Sequence, residues 1–136
     1  MGEALTAVNR FYDAFAAKNW DAADDNFADD CAFVFPTGTP TKAEHRAMGE
    51  AFGAALPDAH MEIDHVVDGG DEAFVEGRFV GTHSGEFVTP EGAIPASNNK
   101  VELRFADFFK TAGGKIVEHR TYWDTADMMR QLGAMG

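Results

Sequence analysis

The apolar periodicity of this chain changes at Pro57. Before it, apolar residues return at helical spacing; after it, they alternate as they do in strands. Helices gathered in one half and strands in the other direct a chain to an α+β fold, since the strands pair together and the helices must cover one face of their sheet. The length of 136 residues suits a single domain spanning 1–136. The sequence carries no internal repeat and no low-complexity tract.

Leu5, Val8, Phe11 or Tyr12, and Phe15 predict a first helix that Asn19 breaks. Trp20, Ala23 and Phe27 predict a short second one. "CAFVF" is a brief strand stopped by Pro36 and Gly38. Thr41 and Glu44 form a capping-box pattern that opens a third helix running to about Leu56. "HMEIDHVVD" is then a strand ending at Gly69-Gly70. "EAFVEGRFVGTHSGEFV" is a long one, and about eleven residues of it would span roughly 36 Å. Gly77, Gly81 and Gly85 offer places for it to bulge or kink. "TPEGAIPASNN" reads as a polar loop, "KVELRFADFFK" as a strand, "TAGGK" as a hairpin turn and "KIVEHRTYW" as the last strand. "TADMMRQLG" closes with helical turns stopped at Gly133. The expected architecture is a strongly curved antiparallel sheet with the helices in its concave face.

The formal charge of −12, with no cluster of Lys and Arg, argues against nucleic acid as a partner. No apolar run is long enough to cross a membrane, and the first residues lack the pattern of a secretory leader. Cys31 is the single cysteine, so no internal disulfide can form. A buried, unreactive thiol in a reducing, cytoplasmic setting is expected. His45, His60, His65, His83 and His119 show no metal-ligand spacing; His60 and His65 are an odd number apart and should point to opposite faces of their strand. No glycine-rich phosphate loop joins a strand to a helix, and no cofactor is expected. Twelve Phe against two Tyr and two Trp point to an oily interior with room for a small hydrophobic ligand.

The element order, with "RFYDAFAAKNWDAADDNFADD", "LPDAHMEI", "GTHSGEF", "GGKIVEH" and "QLG" in sequence, resembles the nuclear transport factor 2-like superfamily. It is most similar to the SnoaL-like branch of polyketide cyclases and predicted ester cyclases. The resemblance implies a cone-shaped, cystatin-like α+β barrel with a mixed, curved sheet wrapped around N-terminal helices and a deep apolar pocket. It also implies homodimers formed through the outer face of the sheet. Members known as enzymes include cyclases, ketosteroid isomerases and epoxide hydrolases; many others only bind ligands.

Alternation sorts each strand into two faces without saying which looks inward. Alignment with the family selects the sets containing His83, Arg104 and His119. On that reading Phe11, Phe35 and Ala106 stand where the isomerases carry a tyrosine and two acids. Ala106 and Thr121 stand where the epoxide hydrolases carry acids and where the cyclases pair a histidine with an aspartate. Catalysis would then fall to His119, His83 or Asp124 as base, with Arg104 stabilising an enolate oxygen. Tyr12, Phe15, Phe35, Phe52, Phe79, Phe108, Thr121 and Trp123 would contact the substrate. Three readings follow: a cofactor-independent proton-transfer enzyme (cyclase, isomerase or lyase) acting on a small apolar carbonyl compound, a binding protein using the same pocket without turnover, and a dimerisation module with a vestigial cavity.

Overall fold

The computed structural model describes residues 1–134; the last two positions of the expected 1–136 domain lie outside the described residues. The elements follow the order helix, helix, strand, helix, strands, helix. Helix α1 (Glu3–Ala16) buries Ala4, Ala7, Val8, Phe11, Tyr12 and Phe15, a stripe at helical spacing. Lys18, in the left-handed region at φ 56°, turns the chain, and the Asn19 side chain caps α2 (Trp20–Asp24) by accepting from Ala22 N–H.

Helix α2 is shorter than its apolar spacing predicts. The Asn26 amide donates to the Ala22 and Ala23 carbonyls, satisfying helix-end acceptors. Phe27 is thereby released to begin β1 (Phe27–Val34), four residues before the predicted strand start at Cys31. Helix α3 (Lys42–Ala55) opens with the full capping box of Thr41 and Glu44.

Five strands form the main sheet: β1, β2 (His60–Asp68), β3 (Glu72–Thr82), β6 (Lys100–Ala112) and β7 (Lys115–Trp123), in spatial order β1-β7-β6-β3-β2. Only β1, against β7, pairs in parallel, so the sheet is mixed. Between β3 and β6 lies a separate hairpin of β4 (Phe87–Thr89) and β5 (Gly92–Ile94), where sequence alone gave a strand tail and a polar loop. The strand cannot continue past Thr82 because the chain turns to meet the end of α3. Gly85 N–H donates to the Ala55 carbonyl, and a Cβ on Gly85 would lie 2.1 Å from the Ala54 oxygen. The short helix α4 (Thr125–Gln131) ends the described chain.

Bending falls elsewhere than at the glycines of β3. Bulges occur in β2 between Ile63 and His65, opposite Gly77, and in β6 between Lys110 and Thr111. The β2 bulge also corrects the histidine faces: His60 pairs with Val80 and His65 with Glu76, two positions on the same side of β3. Among the described residues no helix is long and apolar enough to cross a membrane.

Side chains alternate strictly across β3 and β6. The concave face presents Val75, Phe79, Leu103, Phe105 and Phe109 to α1 in one core; the convex face carries Arg78, Glu102, Arg104 and Tyr122. Cys31 is buried, and its thiol is pushed up to about 12, chiefly by burial.

Candidate active site

A cavity of about 120 Å³ opens between the concave face and the helices α1–α3. Phe11, Phe15, Phe27, Phe35, Phe52, Phe79 and Phe105 line it. Its polar groups are few and come from two directions.

The sheet supplies the first set. Asp107 on β6 points inward because it shares a face with Val101, Leu103, Phe105 and Phe109. The Tyr12 hydroxyl on α1 donates to Asp107 Oδ2 at 2.5 Å, while Asp107 Oδ1 is buried without a partner. Burial raises the Asp107 carboxyl to about 6; Thr121, directly across on β7, and Tyr12 pull in the opposite direction by favouring the carboxylate. Tyr12 itself is held in its neutral form, first by burial and then by the charge of Asp107.

His119, two pairs back along β7 on the same face, lies flat against Phe109 at 4.3 Å, with Nδ1 unpartnered. Burial lowers it to about 3, against a smaller opposing pull from the Phe108 backbone, so the imidazole is neutral. His45 enters from α3, stacked on Phe33 at 4.3 Å and perpendicular to His119 at 5.6 Å. Burial and the neighbouring His119 hold it too at about 3. Trp123 lines the same end and leaves its indole Nε1 buried and unpartnered.

The helices supply the second set. Asp24 of α2 and Arg46 of α3 mark the mouth. The Arg46 guanidinium is already bound to Asp21 at 2.8 Å and Glu50 at 2.9 Å.

Of the residues named from the sequence, Phe15, Phe35, Phe52, Phe79, His119, Thr121 and Trp123 line the cavity. Tyr12 stands behind Asp107 instead of on the wall. Arg104 and Phe108 do not reach it: both lie on the convex face, Arg104 exposed and opposite Arg78. His83 is fully buried outside the cavity lining, where its Nδ1 meets Ser97 Oγ at 2.8 Å and accepts from Ser97 N–H, pinning the loop before β6. Asp124 is the N-cap of α4, accepting from Asp127 N–H at 3.0 Å. Ala106 faces outward, so the pocket acid is its neighbour Asp107.

Two residues escaped the sequence reading. Asp107 was hidden in an otherwise apolar set, yet that set is the greasier of the two faces of β6, which is itself the inward signal. His45 sits with Gly49 and Phe52 on one face of α3, spaced as a helix requires. Among the described residues, no group of three or more His, Cys, Asp and Glu is placed to hold a metal ion.

Helices cupped in a mixed, curved sheet around an apolar cavity define the nuclear transport factor 2-like class of α+β barrels. Within it the chain belongs to the SnoaL-like polyketide cyclase family, whose model matches residues 6–132. Solved structures agree on the fold. A candidate SnoaL-like polyketide cyclase from Jannaschia superposes with a TM-score of 0.80 at 18% identity, covering 98% of this chain and 94% of that one. IdmH, a candidate polyketide cyclase from Streptomyces antibioticus, gives 0.77 at 22%, covering 94% and 96%. A hypothetical protein with a ketosteroid isomerase-like fold from Catenulispora acidiphila, in complex with trimethylamine, gives 0.73 at 21%, covering 93% and 92%. At such identities the likeness is one of fold. No curated protein matches the sequence.

Proposed function

We propose that this protein is a cofactor-independent enzyme that moves a proton at a carbon beside a carbonyl, on a small apolar substrate, in the manner of a cyclase or isomerase. One observation carries the reading: a buried aspartate lining an apolar cavity has one oxygen held by Tyr12 and the other buried without a hydrogen-bond partner, with Thr121 directly across on β7. A base at such a site works best when its pKa lies near the operating pH, and Asp107 at about 6 meets that condition. Asp107 Oδ1 takes the proton. Among the described cavity residues Trp123 Nε1 is an obligate donor left unpaired, and it donates to the oxygen on which charge develops. His119 stays neutral and orients the substrate through Nδ1. The convex face, with Val67, Phe74 and Tyr122 exposed, is where a second copy would pair.

The test is solvent exchange. Small ring ketones are incubated in deuterium oxide with the protein, and loss of the proton signals beside the carbonyl is followed by NMR. The wild type should catalyse exchange of at least one ketone, and Asp107→Asn should slow it by about 100-fold or more. No exchange with any ketone, or equal exchange by the variant, would leave a binding protein.

A further inference from the structure

The second polar end of the cavity has no part in that proton transfer. Asp24 lines the mouth; its Oδ2 is 3.9 Å from Lys42 Nζ, but its Oδ1 is shielded from solvent and has no hydrogen-bond partner. A buried, unpaired carboxylate oxygen is costly unless something arrives to satisfy it. Asp24 on α2 and the sheet-borne Asp107 and Trp123 line the same aromatic chamber from different elements.

Charge and size narrow the visitor further. The single Arg or Lys among the lining residues, Arg46, already pairs with Asp21 and Glu50 at the surface, so a carboxylate or phosphate would have to displace those partners while entering beside two aspartates. The cavity of about 120 Å³ is close to the roughly 150 Å³ that holds one benzene ring. A second ring fused to such a ketone enlarges it further and should fit less well.

We infer that Asp24 determines specificity: the substrate is an uncharged, one-ring carbonyl compound carrying a hydroxyl or amino group opposite its carbonyl, and that group donates to Asp24 Oδ1. The inference rests on the preceding reading for the carbonyl lying at the Asp107 end. Asp24 touches only the remote group and leaves the proton step to Asp107.

Binding of ketone probes, measured by calorimetry, tests it without turnover. Wild type should bind para-hydroxyacetophenone about tenfold more tightly than para-methylacetophenone, the worth of one hydrogen bond to a charged acceptor. Asp24→Ala should abolish the difference while holding the methyl compound as wild type does. Asp24→Asn, which keeps an acceptor without charge and preserves shape, should fall between. para-Acetylbenzoate and acetylnaphthalene should bind more weakly than either. A hydroxyl preference unchanged in both Asp24 variants, tightest binding by the benzoate or the naphthalene, or no binding of any one-ring ketone at millimolar concentration overturns the inference. Asp107→Asn separates the two readings: it should lose proton exchange and retain the Asp24-dependent preference. Preference without exchange in wild type defeats the catalytic reading alone; exchange without preference defeats the Asp24 inference alone.

Discussion

The Tyr12 hydroxyl and Asp107 Oδ2 lie 2.5 Å apart, tying the first helix to the central strand of the sheet. The bond joins fold and site, because the same contact that docks α1 fixes the direction in which the free oxygen of Asp107 faces. Tyr12 favours the ionised carboxylate, so Tyr12→Phe should raise the Asp107 pKa above about 6. The acid limb of the exchange rate against pH should then move up by about one unit. An unmoved limb in the variant would show that Asp107 is not the titrating base.

Asp107 also carries a cost in stability. Its folded pKa of about 6 lies above the usual carboxylate value of about 3.9, so the native state is favoured while the group is protonated and loses that advantage as pH rises through 6. Asp107→Asn should therefore be more stable than wild type at pH 8, by about 2 kcal/mol, with the gap closing towards pH 4. Urea midpoints at the two pH values measure it. A variant less stable at pH 8 would mean that the carboxylate is better solvated than its burial indicates.

The fold was legible because period and punctuation agree: helical spacing to Pro57, alternation afterwards, and the Thr41–Glu44 box all lie where their physics requires. The site was half legible. Alternation sorted each strand into two faces and family likeness chose the inward one; on β3 and β7 that choice agrees with burial, but on β6 it outweighed hydrophobicity and selected Arg104 over Asp107. A register error of one residue exchanges the two faces of a strand completely. His45 was invisible for another reason: its role depends on α3 lying over β1 and β7, a tertiary fact that no local pattern encodes.

The residues that likeness favoured give a contrasting pair of expectations. Arg104 is exposed on the convex face, opposite Arg78, and Arg104→Ala should leave exchange unchanged and stability within about 0.5 kcal/mol. Asp124→Ala should cost about 1 kcal/mol through loss of the α4 cap, again without affecting exchange. Loss of exchange in either variant at full folding would return that residue to the mechanism.

Helix α4 stands in for a missing stretch of strand. β7 ends opposite Phe105, and beyond it the Gln131 side-chain amide both accepts from Glu102 N–H at 2.7 Å and donates to the Glu102 carbonyl at 3.1 Å. Gln131→Ala leaves both exposed backbone groups to water and should cost about 0.5–1.5 kcal/mol. Hydrogen exchange at the Glu102 amide should accelerate more than at Phe109, deep in the sheet. Equal acceleration at the two sites would make the effect global and remove the special role of the amide.

The two buried imidazoles set how the whole fold responds to acid. In the unfolded chain each binds a proton below about pH 6.5. In the folded protein His45 and His119 resist protonation down to about 3. The stability they confer is present above pH 6.5 and is lost as pH falls, roughly 2 kcal/mol per imidazole by pH 5. Asp107 works the other way, returning about 1 kcal/mol between pH 7 and 5. Two imidazoles outweigh one carboxyl, so the protein should lose about 2–3 kcal/mol from pH 7 to 5. His45→Phe keeps the stacking surface against Phe33 and removes one of the two titrations, so its loss over the same interval should be smaller by about 2 kcal/mol. Parallel pH dependences for wild type and variant would mean that His45 takes up its proton as readily in the folded protein as in the unfolded chain.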